Sequence, residues 1–115
     1  YGSIKKGICL GFVICLRENT NYKSINYKFF QNRHNKFFYI DRIAIANKYQ
    51  SSGIGSILYN KLLSIKVKFN IPICAEVNID PPNESSINFH RKHGFSEITE
   101  STLKEGYSVV YMEVS

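Results

Sequence analysis

A mixed α/β domain follows from three features of the chain. Apolar, β-branched runs of strand length recur at 8–17, 37–46, 73–79 and 107–114. Between the second and third, residues 54–69 repeat their apolar side chains at helical spacing. Strand, turn, helix and strand in succession make a parallel crossover, so parallel strands are expected inside a mixed, twisted sheet flanked by helices.

Taken in order, Tyr1 to Gly7 carries two glycines and two lysines and reads as a turn entering a strand. Ile8 to Arg17 is almost wholly apolar, as a central strand covered on both faces would be. Residues 22–36 interleave Tyr22, Tyr27, Phe29 and Phe30 with Lys28, Arg33, His34 and Lys36. That mixture suits a surface loop and short helix anchored by its aromatic rings. It also suits a wall that clamps an acceptor or a nucleic acid.

The strand 37–46 alternates Tyr39, Asp41, Ile43 and Ile45 with Ile40, Arg42, Ala44 and Ala46, unless a bulge intervenes. Asp41 is either a general base or a structural carboxylate paired to a cation. The next helix has Ile54, Ile57, Leu58, Leu62, Ile65 and Phe69 on one apolar face. Before it lies Gln50-Ser51-Ser52-Gly53-Ile54-Gly55-Ser56, a turn of small residues opening into the helix. Its free N–H groups and the positive helix terminus form a cradle for phosphate, and glycine leaves room for a large anion.

Strand 73–79 turns Ile73, Ala75, Val77 and Ile79 to one side and Cys74, Glu76 and Asn78 to the other. Glu76 is a carboxylate amid apolar residues, either wetted on its own side or buried with a raised pKa suited to accepting a proton. Asn83 is placed to cap the following helix, Glu84 complements its dipole, and Gly94 ends it. Phe95 to Thr99 and Tyr107 to Val114 read as the final strands, with Gly106 in the turn between them. His34 and His93 have no supporting context and read as surface residues.

Two stretches carry a resemblance. Gln50, Gly53 and Gly55 fill the pattern Gln/Arg-x-x-Gly-x-Gly/Ala. Asn83 to Phe95 is similar to Asn-x-x-Ala-x-x-Phe-Tyr-x-x-x-Gly-Phe. In this order, joined by a helix and a strand, they resemble the GNAT superfamily of acyl-CoA-dependent N-acetyltransferases, and the likeness covers nearly the whole chain. A little-characterised branch of that superfamily is similar over the same stretches, and it names no acceptor.

The resemblance implies a GNAT fold whose central parallel strands splay apart, and a single domain over residues 1–115 whose N-terminal strand and helices are missing. It implies that Gln50, Ser51, Ser52, Gly53, Ile54, Gly55 and Ser56 hold the pyrophosphate of acetyl-CoA. The backbone of Ile43, Ala44 and Ile45 would pair with the pantetheine arm, and Asn83 and Phe89 would complete the cofactor site. Glu76 matches a strand glutamate that is catalytic in members acetylating protein N-termini. Where the family has a tyrosine that serves the departing thiolate, this chain has His90, which either donates that proton or only lines the cleft. With Asp41 these are the candidate catalytic residues.

The bulk properties bound the rest. One modest core fits 115 residues, and 43% apolar with 21% charged residues is ordinary for a globular chain. No apolar run reaches the roughly 20 residues that cross a bilayer. Cys9, Cys15 and Cys74 are odd in number and unclustered, so free thiols, no metal site and a cytoplasmic setting are expected. A net charge of +6 favours anionic partners, coenzyme A ahead of nucleic acid. The expected activity is acetyl transfer from acetyl-CoA to a primary amine of a small molecule or protein. The alternatives are a catalytically impaired acyl-CoA-binding or protein-interaction module and a nucleic-acid binder using 22–36.

Overall fold

A computed structural model describes residues 2–5, 8–20, 24–45, 53–80 and 82–115, with backbone alone for 2–5 and 8–10. Its strands are β1 (Gly2–Lys5), β2 (Ile8–Arg17), β3 (Phe38–Ile45), β4 (Ile73–Asp80), β5 (Ser96–Lys104) and β6 (Tyr107–Val114). The helices are α1 (Ile25–Arg33), α2 (Ile54–Phe69) and α3 (Glu84–Lys92). Six strands form one sheet in the order β1-β2-β3-β4-β6-β5.

All neighbours are antiparallel except β3 and β4, which are parallel and pair at Phe38 with Ile73 and at Tyr39 with Cys74. Beyond those two positions the strands part, leaving a slot through the middle of the sheet. The expected splay of the two central parallel strands is therefore present.

The sheet carries a separate core on each face. Under α2 and α3 lie Val13, Ile40, Leu58, Tyr59, Leu62, Ile73, Ala75, Val77, Phe95, Val110 and Met112. Under α1 lie Tyr27, Phe30, Phe37, Tyr39, Cys74, Val109 and Tyr111. Alternation along β4 divides its residues between the two as the sequence implies, with Ile73, Ala75 and Val77 on one side and Cys74 on the other.

Three expectations change. Ile14 pairs with Arg42 but Cys15 pairs with Ile40, so Asp41 is an extra residue bulging from β3. One added residue reverses the parity of a strand. Ile43 and Ile45 therefore join Phe38 and Ile40 on the α2 face rather than Tyr39, and Asp41 and Arg42 are both exposed. On α2, Ile57 and Phe69 are 59% and 54% exposed, while Tyr59 is buried. The packed stripe is centred on Leu58, Tyr59 and Leu62, rotated from the one the apolar spacing suggests. Residues 2–5, read as a turn, form an edge strand paired with β2.

Helix α1 is the short helix anchored by its aromatics. Ser24 caps it by accepting from the Tyr27 N–H, and Tyr27 and Phe30 are fully buried one turn apart. The Tyr27 hydroxyl donates to the Arg17 carbonyl and accepts from the Thr20 N–H at 3.0 Å, tying the helix to the end of β2. Phe29 stacks on Tyr111 with ring centroids 4.0 Å apart. His34 is half-buried with Nε2 3.3 Å from Glu113, and His93 is half-buried with Nδ1 2.8 Å from the Phe89 carbonyl. Neither is the free surface residue the sequence suggests.

Candidate active site

A cleft of about 630 Å³ opens where the ends of β3, α2 and α3 meet. Ile43 and Ile45 form its floor, residues 53–56 one lip, and Asn83, Phe89, His90 and Lys92 part of the other. Helix α2 begins at Gly53, whose φ of +87° is left-handed, and no side chain caps it. The first N–H groups of a helix have no partner within it, so they face the cleft at the positive end of the dipole. No acidic residue occupies that first turn.

Glycine matters here for two reasons. A Cβ on Gly53 would meet nothing within 4 Å, so the space beside it is open. A Cβ on Gly55 would lie 3.2 Å from the Phe89 ring, so α2 and α3 approach closely only because that Cβ is absent. Asn83 caps α3, its side-chain oxygen accepting from the Ser86 N–H at 3.3 Å.

Of the residues implied for the cofactor, Ile43, Ile45, Gly53, Ile54, Gly55, Ser56, Asn83 and Phe89 converge on this cleft. Ala44 lies between two of them on β3, half-buried and paired with Phe12, and is not in the cleft wall. Gln50, Ser51 and Ser52 lie outside the described residues.

His90 lines the cleft, yet it is 5% exposed and both ring nitrogens are engaged. Nδ1 is 2.7 Å from the Ser86 carbonyl, which can only accept, so Nδ1 carries the proton. Nε2 is then the acceptor for the Tyr59 hydroxyl at 2.7 Å. Burial holds the imidazole pKa below its ordinary value, against the pull of the Ser86 carbonyl. The neutral ring keeps its single N–H for the helix backbone.

Glu76 stands on the opposite face, two residues past the last paired position of β3 and β4. Its Oε1 accepts from the Tyr39 hydroxyl at 2.8 Å, and the Asn26 side chain of α1 acts on the carboxylate as a second, weaker donor. Oε2 is buried and has no protein partner. Burial raises the carboxyl pKa, the Tyr39 and Asn26 donors lower it, and nearby Asp41 raises it again; the net direction is upward. Of the two readings the sequence left open for this residue, the shift goes with the buried one.

Glu76 and His90 do not line one cleft. Alternation along β4 sends Glu76 toward α1, whereas α3 packs on the α2 face, where His90 touches Tyr59 and Phe95. Asp41 sits exposed on the bulge. Three partners escaped the sequence reading: Asn26, Tyr59 and Tyr111. The signal was slight, a polar residue or a hydroxyl among apolar neighbours.

The model of the acetyltransferase (GNAT) family matches residues 4–95. The chain belongs to that family. Arabidopsis thaliana Naa50, in complex with a bisubstrate analogue CoA-Ac-MVNAL, is similar at a TM-score of 0.70 and 24% identity, over 95% of this chain and 67% of that one. Ard1 from Thermoplasma volcanium is similar at 0.69 and 20%, over 95% and 64%. The ribosomal-protein-S18-alanine N-acetyltransferase of Escherichia coli is similar at 0.68 and 19%, over 96% and 64%. At these identities the likeness is one of fold, and the chain spans about two thirds of the length of those structures. No curated protein matches. The fold is thus that of the GNAT acetyltransferase family. Among the described residues no group of acidic, histidine or cysteine side chains could hold a metal ion. No helix there is long and apolar enough to cross a membrane.

Proposed function

We propose that this protein transfers the acetyl group of acetyl-CoA directly to a primary amine. The observation that carries the reading is the Glu76 Oε2: a buried carboxylate oxygen, without a protein donor, beside the slot between β3 and β4. Such an atom is costly unless a ligand or a proton meets it, and an incoming amine supplies both.

In this reading the cleft at residues 53–56 binds the pyrophosphate, and the backbone of 43–45 orders the pantetheine arm and steadies the developing oxyanion. The amine nitrogen bonds to the thioester carbon, the C–S bond breaks, and Glu76 takes the proton released by nitrogen, directly or through water. His90 lines the sulfur end of the cleft and serves the thiolate only if Tyr59 releases its Nε2. Asp41 is held in reserve as an outer proton acceptor. Free thiols at Cys15 and Cys74 suit a reducing cytoplasm.

The test is turnover of acetyl-CoA with the peptide MVNAL and a panel of small amines. Glu76→Gln is expected to lower the maximal rate by a factor of about 10² to 10⁴, most at low pH where free amine is scarce. A wild-type rate in that variant would remove Glu76 from the chemistry. A second reading, a catalytically impaired acyl-CoA-binding module, draws on the committed His90 ring. It predicts tight acetyl-CoA binding with no turnover on any amine.

A further inference from the structure

Among the buried polar groups that no step above uses is Asn26. It lies on α1, is 8% exposed, and sits among aromatic rings on the face that carries Glu76. An asparagine amide presents one accepting and two donating sites, and which end points where is decided by its partners. Here Tyr111 decides it: the buried phenol donates to the Asn26 Oδ1 at 2.9 Å. The amide nitrogen is then the end left for Glu76, and a carboxylate can only use a donor. Tyr111 is also the residue that faces Glu76 across the β4–β6 pair. Phenol, amide and carboxylate form one directed chain from β6 through α1 to β4.

We propose that Asn26 is the positioning residue of Glu76: oriented by Tyr111, its amide and the Tyr39 phenol hold the carboxylate so that Oε2 is left for the acceptor's ammonium. This inference rests on the reading of Glu76 as proton acceptor, and it gives α1 a task beyond covering the sheet. Two donors fix the carboxylate's rotation, and each favours the ionised form against the burial that opposes it. The titratable groups that face or act on Glu76 are Tyr39 and Asp41 of β3, Tyr111 of β6 and, from the far face, Tyr59 of α2. Among these neighbours Asn26 is the one that cannot ionise. Its contribution is therefore the same at every pH, which suits a group that sets the charge state of another.

The experiment reads Glu76 itself. Carbon-13 carboxyl resonances are titrated in the wild type, with the Glu76 signal assigned by its loss in Glu76→Gln. Asn26→Ala removes one donor and is expected to raise the Glu76 midpoint by about one pH unit, a tenfold gain in proton affinity. Asn26→Asp, nearly the same shape, removes the donor and adds a charge, so it is expected to raise the midpoint further. Tyr111→Phe keeps the ring, frees the amide to turn, and is expected to give a smaller rise. A midpoint unmoved in the folded Asn26 variants, whatever their melting temperatures, would overturn the proposal. Full turnover in Glu76→Gln alongside a raised midpoint in Asn26→Ala would instead sink the proton-acceptor reading and leave only the electrostatic link between the two residues.

Discussion

Replacing Gly53 separates the backbone demand of the turn that opens α2 from its proposed role as a cradle. Its φ of +87° is left-handed, a region that costs an L-residue such as alanine about 1–2 kcal/mol. Nothing stands within 4 Å of the new Cβ, so no clash adds to that cost. Unfolding entropy of roughly 2 cal/mol/K per residue makes 1 kcal/mol worth about 4 °C in a domain of this size. Gly53→Ala should therefore melt about 4–8 °C lower. Asparagine tolerates the left-handed region, so Gly53→Asn should melt closer to the wild type. The open space that spares the fold is where the pyrophosphate would lie. Losing one close N–H contact to a charged group costs about 1.5–3 kcal/mol, which is about ten- to a hundredfold in acetyl-CoA affinity for either variant. Scanning calorimetry and titration calorimetry with acetyl-CoA measure the two effects separately. Wild-type affinity in the folded Asn variant would refute the cradle, and an unchanged melt in the Ala variant would refute the backbone argument.

Further expectations follow from the two faces of the sheet. His90 is held neutral below its ordinary pKa, so the unfolded chain takes up that proton first as pH falls. Stability should decline as pH drops through about 6.5, the ordinary histidine value, and less steeply in His90→Gln; parallel melts at pH 7 and pH 5 give the comparison. Tyr59→Phe leaves Nε2 without its donor inside the core and is expected to cost about 1–3 kcal/mol by urea titration. Phe30→Ala should cost about 3–5 kcal/mol and loosen α1, seen as faster amide exchange over residues 24–33, because that ring is fully buried. Cys74 is buried in the α1 core, and burial drives its thiol pKa well above the ordinary value. Mass spectrometry after incubation with acetyl-CoA should find no acetyl group on it; an acetyl-Cys74 adduct would displace the direct-transfer mechanism.

Legibility in the sequence followed the range of the interactions concerned. β2, β3, α2, β4, α3 and β6 lie within a residue or so of where local periodicity puts them, because each buries a face of its own. The edge strand β1 was hidden, since two glycines and two lysines look like a turn until β2 supplies its hydrogen bonds. β5 was read as ending at Thr99 but runs to Lys104, a polar edge whose pairing with β6 rather than composition keeps it extended. The bulge at Asp41 left no local mark, because it is a count of residues against a partner strand. For the site, the glycine turn and the helix motif spoke for themselves through spacing. The sides taken by Glu76 and His90 did not, because they depend on which face of the sheet each helix covers. Asn26, Tyr59 and Tyr111 become meaningful only once three distant segments are brought together.

The slot between β3 and β4 has a consequence for traffic through the protein. A continuous sheet would be a partition, and whatever occupied one side could act on the other only by displacing it. Here the partition is breached at its centre, with the helix-terminus lip of residues 53–56 on one side and a carboxylate on the other. In the proposed reaction the two substrates would meet through the breach from opposite faces of the sheet. Helix α1 roofs the carboxylate side, pinned by Tyr27 and Phe30, so any acceptor of the proposed reaction would have to pass the edge of that helix.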